Sequence, residues 1–181
     1  GGDEYLVPEV ASHSPPSLYK IVDGGSRKTV FRGLEDLRMV DVTLFKHEEV
    51  FYLFGCKDDS ASDNLFLYYS AGIAGPYVAH PQNPIIVDPQ SARMAGGLAY
   101  VDDKLLRFSQ DNSYGYGNGI SVSEVLVLNP LEYSEKVIST IKFDGVYGPH
   151  TISTHGDKLT VDFYTEELSL LAGYRRLLGK F

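Results

Sequence analysis

Tryptophan is absent from this chain, and cysteine occurs once, at Cys56. A lone cysteine excludes an internal disulfide framework and any zinc site built from several thiolates. Positive charge is scarce too: 16 Lys and Arg stand against 24 Asp and Glu, a net charge of -8. That balance disfavours a nucleic-acid partner, whose phosphates are held by clustered Lys and Arg, and suits a neutral ligand. No apolar run approaches the ~18 residues of a membrane-spanning helix, and the first residues do not read as a charged-then-apolar secretory leader. The chain carries no Asn-X-Ser/Thr sequon. With the lone cysteine, this leans towards a cytoplasmic setting.

What the chain has in quantity is 13 Tyr and 18 Gly, with 9 Pro. Its 181 residues, 43% hydrophobic and 22% charged, predict one domain whose core needs neither metal nor disulfide. Tyr and Gly at this level fit many short strands joined by tight turns. The strands are visible as short apolar and β-branched runs. They include Val42-Thr43-Leu44-Phe45, Val50-Phe51-Tyr52-Leu53-Phe54, Leu65-Phe66-Leu67-Tyr68-Tyr69, Lys104-Leu105-Leu106-Arg107-Phe108 and Lys158-Leu159-Thr160-Val161-Asp162-Phe163. Gly, Asp, Asn and Pro clusters separate them, so the fold is expected to be all-β: a sandwich, barrel or propeller. One segment departs. Leu168, Leu171, Ala172, Arg175 and Leu178 follow helical spacing, with Thr165 as N-cap and Gly179 as stop, so a C-terminal helix is expected there.

Period selects among the all-β options. The turn Asp103-Lys104-Leu105 recurs 54 residues on as Asp157-Lys158-Leu159, and one step back lies His47-Glu48-Glu49. The same step links Leu44, Leu98 and Ile152. Each unit reads as a strand, a tight acidic turn, a second strand and a longer outer hairpin, the pattern of a propeller blade. The expected units are a partial blade over 1–37, blades over 38–91 and 92–146, and a partial blade with the terminal helix over 147–181.

In such a blade the start of the first strand and the end of the second share one rim, around the channel. Strand starts there carry Asp41, Arg93 and His150; strand ends carry Glu9 and Gln110-Asp111. An arginine, a histidine and several acids converging at one mouth suit sugar binding, or glycoside hydrolysis with one acid as proton donor and another as base. Plain structural roles stand beside this. Asp41 would be a turn residue, Arg93 a partner for Asp111, His150 a satisfied half-buried histidine and Glu9 a solvated acid. Tyr114-Gly115-Tyr116-Gly117-Asn118-Gly119 precedes no helix and is no nucleotide fingerprint. It reads as a flexible loop with two tyrosines, or as a sugar platform. The acidic run at Asp58-Asp59 lacks calcium-loop spacing, no histidine pair has metal-ligand spacing, and Cys56 is expected to be inert. Neither metal nor cofactor is expected.

The segments Ala92-Arg93-Met94-Ala95-Gly96, Leu106-Arg107-Phe108-Ser109-Gln110-Asp111 and Tyr116-Gly117 carry a family resemblance. So do His80-Pro81-Gln82-Asn83-Pro84-Ile85, Tyr5-Leu6-Val7-Pro8-Glu9, Val40-Asp41-Val42 and Gly148-Pro149-His150-Thr151. In this order they resemble the family 43 glycoside-hydrolase-like, five-bladed propeller domain found at the N-terminus of plant glucosamine inositolphosphorylceramide transferases. The resemblance implies an arabinanase- or levansucrase-like propeller that handles carbohydrate, beside a fused or associated transferase domain. It implies a blade-start acid at Asp41, a possible acid at Glu9, and sugar-binding roles for Arg93, Gln110, Asp111, Tyr116 and His150. Met94, Asn112 and Val42 depart from the family's usual Pro, Cys and Pro, and the first-blade acid of hydrolytic relatives has no counterpart here.

Three functions follow as expectations. The favoured one is a carbohydrate-binding or carbohydrate-processing accessory domain with no nucleic-acid partner. The second is a glycoside hydrolase or glycosyltransferase component using Asp41 and Glu9. The third is a scaffold without ligand. Five units of 54 residues would need about 270, so 181 hold about three and a half blades, and another chain, a truncated sheet arrangement or a crystal neighbour is expected to cover the missing edge.

Overall fold

The computed structural model describes residues 3–10, 13–60, 63–115, 117–143, 145–155 and 158–164. Regular structure among them is strand, with a short 3-10 turn at Asp58–Ser60 and no α-helix. The helix expected from Thr165 onwards lies outside the described residues, and so does Tyr116.

Four antiparallel sheets follow one another along the chain. The first comprises β1 (Tyr5–Leu6), β2 (Ser17–Val22) and β3 (Gly25–Val30). The second comprises β4 (Met39–His47), β5 (Val50–Lys57), β6 (Asn64–Ser70) and β7 (Val78–Ala79), with β8 (Ile86–Val87) also paired to β6. The third comprises β9 (Ala99–Val101), β10 (Lys104–Asp111), β11 (Gly119–Leu128) and β12 (Tyr133–Ile141). The fourth is the pair β13 (Tyr147–His155) and β14 (Lys158–Tyr164).

The 54-residue step reappears in the backbone register. His47 pairs Val50, Val101 pairs Lys104, and His155 pairs Lys158, so three hairpins turn at equivalent positions. Asp102 and Asp103 both have positive φ, at 48° and 63°. A two-residue turn of the type I′ class requires this, because its twist matches that of the strands it joins. Aspartate tolerates that conformation better than most side chains.

Each sheet shares an apolar cluster with the next. Leu18 and Phe31 of the first meet Leu53, Tyr68 and Tyr77 from the second sheet and its loops. Phe31 and Tyr77 pack edge to face, with ring centroids 5.4 Å apart. Phe54, Leu65 and Leu67 of the second meet Val125, Leu128 and Tyr133 of the third. Phe108, Ile120 and Val122 of the third meet Ile152 of the fourth. Burying each such side chain contributes roughly 1.5–3 kcal/mol, which is why a chain without disulfides can hold these sheets together.

One charged group lies inside this core. Arg107, on β10, is fully buried. Its Nε donates to Glu135 Oε2 at 2.6 Å, and one terminal nitrogen donates to Glu135 Oε1 and to Ser91 O, each at 2.6 Å. Tyr133 donates its hydroxyl to the same carboxylate. Burial alone would push the Glu135 pKa up, but the Arg107 charge and hydrogen bonds outweigh it and hold the carboxyl below its usual range. A forked guanidinium–carboxylate pair with its remaining polar atoms satisfied is the form in which a buried charge is tolerated.

Candidate functional site

The hairpins share a second feature, at the ends away from their tight turns. Between Val40 and Thr43, β4 carries an extra residue relative to β5. Between Tyr147 and Thr151, β13 slips against β14. In the third sheet, Met94 bridges Ser109 while Ala99 pairs Leu106, leaving two extra residues between them. All three irregularities fall within one residue of the 54-residue step, around Asp41, Gly96 and Gly148. A bulge bends the strand and re-aims a side chain, and bulges are over-represented beside functional sites. Positive φ marks each: 51° at Asp41, 109° at Gly96 and 60° at Gly148. Only at Asp41 does a side-chain-bearing residue adopt it.

Three separate segments hold Asp41 in that conformation. Its backbone N–H donates to Glu9 Oε2 at 2.5 Å. Its Oδ2 receives Arg93 Nε at 2.5 Å and Gln110 Nε2 at 3.4 Å. The Asp41 and Arg93 side chains are 24% and 21% exposed, so the pair is reachable from solvent. Gln110 is buried, and its Nε2 also donates to Met94 O at 2.9 Å. Its Oε1 is buried and has no hydrogen-bond partner among the described residues.

Beside this cluster is a cleft of about 150 Å³ lined by Val7, Glu9, Asp41, Val42, Thr43, Met94, Gly96 and Thr151. Residues from, or adjoining, all four sheets meet there. Gly96 is required: a Cβ at this position would lie 2.1 Å from Ile152 O, where the third and fourth sheets touch. Thr43 Oγ1 donates to Gly96 O at 3.2 Å and ties the second sheet to the same point. The cleft itself combines two carboxylates, two threonine side chains and an apolar wall, and the Arg93 guanidinium and Gln110 amide reach it through Asp41.

The other expected site residues are placed differently. Asp111, next to Gln110, turns into the following loop. It accepts from Ser113 N at 3.0 Å, from Ser113 Oγ at 2.5 Å and from Asn118 Nδ2 at 2.9 Å. Burial works to raise its pKa, but these bonds and the Lys142 charge outweigh it and set the carboxyl below its ordinary value. The structural partner of Arg93 is therefore Asp41 and not Asp111. His150 faces Asp162 across its own hairpin, Nε2 to Oδ2 at 2.9 Å, while Nδ1 lies 2.8 Å from Gly148 O. Burial pushes the Cys56 thiol up to about 12, which keeps it protonated and unreactive.

Sequence reasoning passed over Thr43 and Thr151, which line the cleft, Asp162, which holds His150, and the Arg107–Glu135–Tyr133 network. An arginine inside the apolar run Leu105-Leu106-Arg107-Phe108 was the available signal for the last. A wider, open hollow of about 320 Å³ is lined by Asp36, Leu37, Arg38, Lys57, Asp58 and Asp59. Its lining charges are of both signs, and none of the buried unpartnered polar atoms among the described residues belongs to it. Among the described residues no group of three or more His, Cys, Asp or Glu is placed to hold a metal ion, and no helix is long and apolar enough to cross a membrane.

The family described as "Glucosamine inositolphosphorylceramide transferase 1, N-terminal" matches residues 1–147. Two curated relatives, each named "Glucosamine inositolphosphorylceramide transferase 1", come from Oryza sativa subsp. japonica and Oryza sativa subsp. indica. Each is 28% identical over 137 residues, covering 72% of this chain and 18% of the relative. The chain therefore spans less than a fifth of the length of these relatives. It belongs to this N-terminal family.

Proposed function

We propose that this member of the glucosamine inositolphosphorylceramide transferase N-terminal family is a carbohydrate-binding accessory domain that works beside a transferase domain. In this reading the four sheets are successive blades of a five-bladed propeller type, and the cleft is the mouth of its channel. The regular 54-residue hairpin register supports the blade assignment. So does the sharing of apolar clusters between consecutive sheets.

The observation that carries the functional reading is Asp41. A non-glycine residue held in the left-handed region costs of order 1–3 kcal/mol and persists only where its surroundings over-determine it. Glu9, Arg93 and Gln110 do so from three segments, beside a cleft that all four sheets help to line. The buried Gln110 amide, donating to Asp41 from behind, orients the carboxylate that a ligand hydroxyl would meet. Retention on an array of immobilised glycans tests the reading. The native protein binds at least one neutral glycan, and Arg93→Ala and Gln110→Ala lose it while keeping the far-ultraviolet circular dichroism of the parent. A native protein that retains no glycan overturns it.

The second reading, a glycoside hydrolase or glycosyltransferase component using Asp41 and Glu9, draws on both carboxylates bordering one cleft. Each is already engaged in positioning a neighbour: Glu9 holds the Asp41 backbone, and Asp41 holds Arg93. A glycosidic pair instead needs one free acid and one free base or nucleophile facing the scissile bond. Release of the aryl group from chromogenic glycosides, abolished by Asp41→Asn, would restore this second reading.

A further inference from the structure

The geometry points to Tyr114 as a stacking platform for the cleft, covering one face of a neutral sugar ring whose hydroxyls Asp41, Arg93 and Gln110 hold; this inference rests on the carbohydrate-binding reading above.

Tyr114 is 90% exposed, more than any other large hydrophobic side chain among the described residues. Such exposure is ordinary in a slack loop, but this loop is fastened at Asp111, Asn112, Ser113, Gly115, Gly117 and Asn118. The Asp111 carboxylate accepts from Ser113 N, Ser113 Oγ and Asn118 Nδ2, and Asn118 N returns to Asp111 O at 3.0 Å. Asn112 N donates to Pro89 O at 2.9 Å, and Asn112 accepts from Gly115 N at its carbonyl and from Gly117 N at its Oδ1. Gly117, at φ 70°, lies so close to Gly148 that a Cβ would stand 2.1 Å from the Gly148 Cα. Polar groups turned inward therefore hold the backbone while one aromatic ring is turned outward.

The position of the loop gives that ring its use. It leaves β10 one residue after Gln110, whose amide touches Asp41. It rests on Gly148, three residues before Thr151 in the cleft wall. Four residues of chain reach at most ~14 Å, so the Tyr114 Cα stays within that distance of the Gln110 Cα. A tyrosine offers a large flat face at low conformational cost, with few torsions to freeze. Carbon-bound hydrogens on one face of a sugar ring pack against such a face, while its hydroxyls turn to polar partners. The charged residues among the described cleft lining, Glu9 and Asp41, are both acidic, which favours a neutral sugar over an acidic one.

The test compares Tyr114→Ala, Tyr114→Phe and Arg93→Ala with the native chain against immobilised neutral cello-, xylo-, arabino- and chito-oligosaccharides. The expected result is a three- to tenfold weaker affinity for Tyr114→Ala, about the worth of one ring contact, with Tyr114→Phe close to native. Equal binding by Tyr114→Ala and the native chain, with Arg93→Ala inactive, overturns the platform and leaves the cleft reading intact. Loss in Tyr114→Phe equal to that in Tyr114→Ala also overturns it, since the hydroxyl and not the ring face would then carry the contact. No retention by the native chain overturns both. Since Tyr114 is exposed, the two Tyr114 variants keep the parent's thermal midpoint, so a loss of affinity in them is not a loss of fold.

Discussion

Arg93 and Arg107 lie fourteen residues apart in one sheet region, and each holds a carboxylate, yet the two pairs are built for different ends. Arg107 is fully buried, and Glu135 meets it with both oxygens while Tyr133 and Ser91 O complete the set. Arg93 and Asp41 are about a fifth exposed, and Asp41 sits on a bulge with a positive φ. The first pair is closed, because every polar atom that it brings into the core must be satisfied there. The second is open, and the Gln110 Oε1 next to it has no hydrogen-bond partner among the described residues. A satisfied buried pair serves the fold; a strained, reachable pair is the one on which the proposed ligand site rests.

The largest expected effect breaks the closed pair. Glu135→Ala leaves a buried guanidinium uncompensated, at a cost of about 3–5 kcal/mol. Urea denaturation should show most of the native stability gone; a change under ~1 kcal/mol would mean that water reaches Arg107. The same group sets an acid limb. The folded-state pKa of Glu135 lies below the ordinary 4.5, so its stabilising contribution is full above that pH. It is lost as pH falls through the lower folded value. Thermal midpoints of the native chain should drop on acidification through this window, and those of Glu135→Gln should drop less.

Opening the second pair has a smaller effect on stability. Arg93→Ala should change unfolding free energy by about 1 kcal/mol or less, as partly exposed ion pairs do, while glycan retention disappears. A destabilisation as large as that of Glu135→Ala would erase the contrast between the two arginines. The smallest expected effect concerns His80, which is buried between the second and third sheets. Its Nε2 meets Asn129 O at 3.1 Å and its Nδ1 accepts from Gln82 N at 3.3 Å. Burial holds its pKa below 6.5, so the neutral ring stabilises the fold above that pH and the contribution fades as pH falls through the lower folded value. His80→Gln should flatten that part of the pH profile; an unchanged profile would mean that the ring is free to turn to solvent.

Much of the strand pattern was legible in the sequence, because alternation and turn chemistry are local. Asp103-Lys104 and its 54-residue echoes mark the hairpins that the register confirms, since acidic turn residues tolerate positive φ wherever they occur. Asp41, Glu9, Arg93 and Gln110 were legible as a group from strand geometry, and the structure brings these four together. Strand geometry assigns Asp111 to the same mouth, whereas its carboxylate accepts bonds from the loop after it. Arg107 reads as part of a strand and not as a core charge, because its partner Glu135 lies two strands away and no local pattern names it.

By itself the sequence determined the strand class, the 54-residue step and the absence of a disulfide framework, since these depend on residue type and on spacing along one chain. Only the tertiary structure decided which arginine takes which acid, that Asp41 rests on a bulge held by Glu9, and that Tyr114 faces outward from a fastened loop. The physical reason is range. Turn and strand preferences act over a few residues, whereas burial and charge pairing are set by whichever segments the packed sheets bring together, here as many as 69 positions apart.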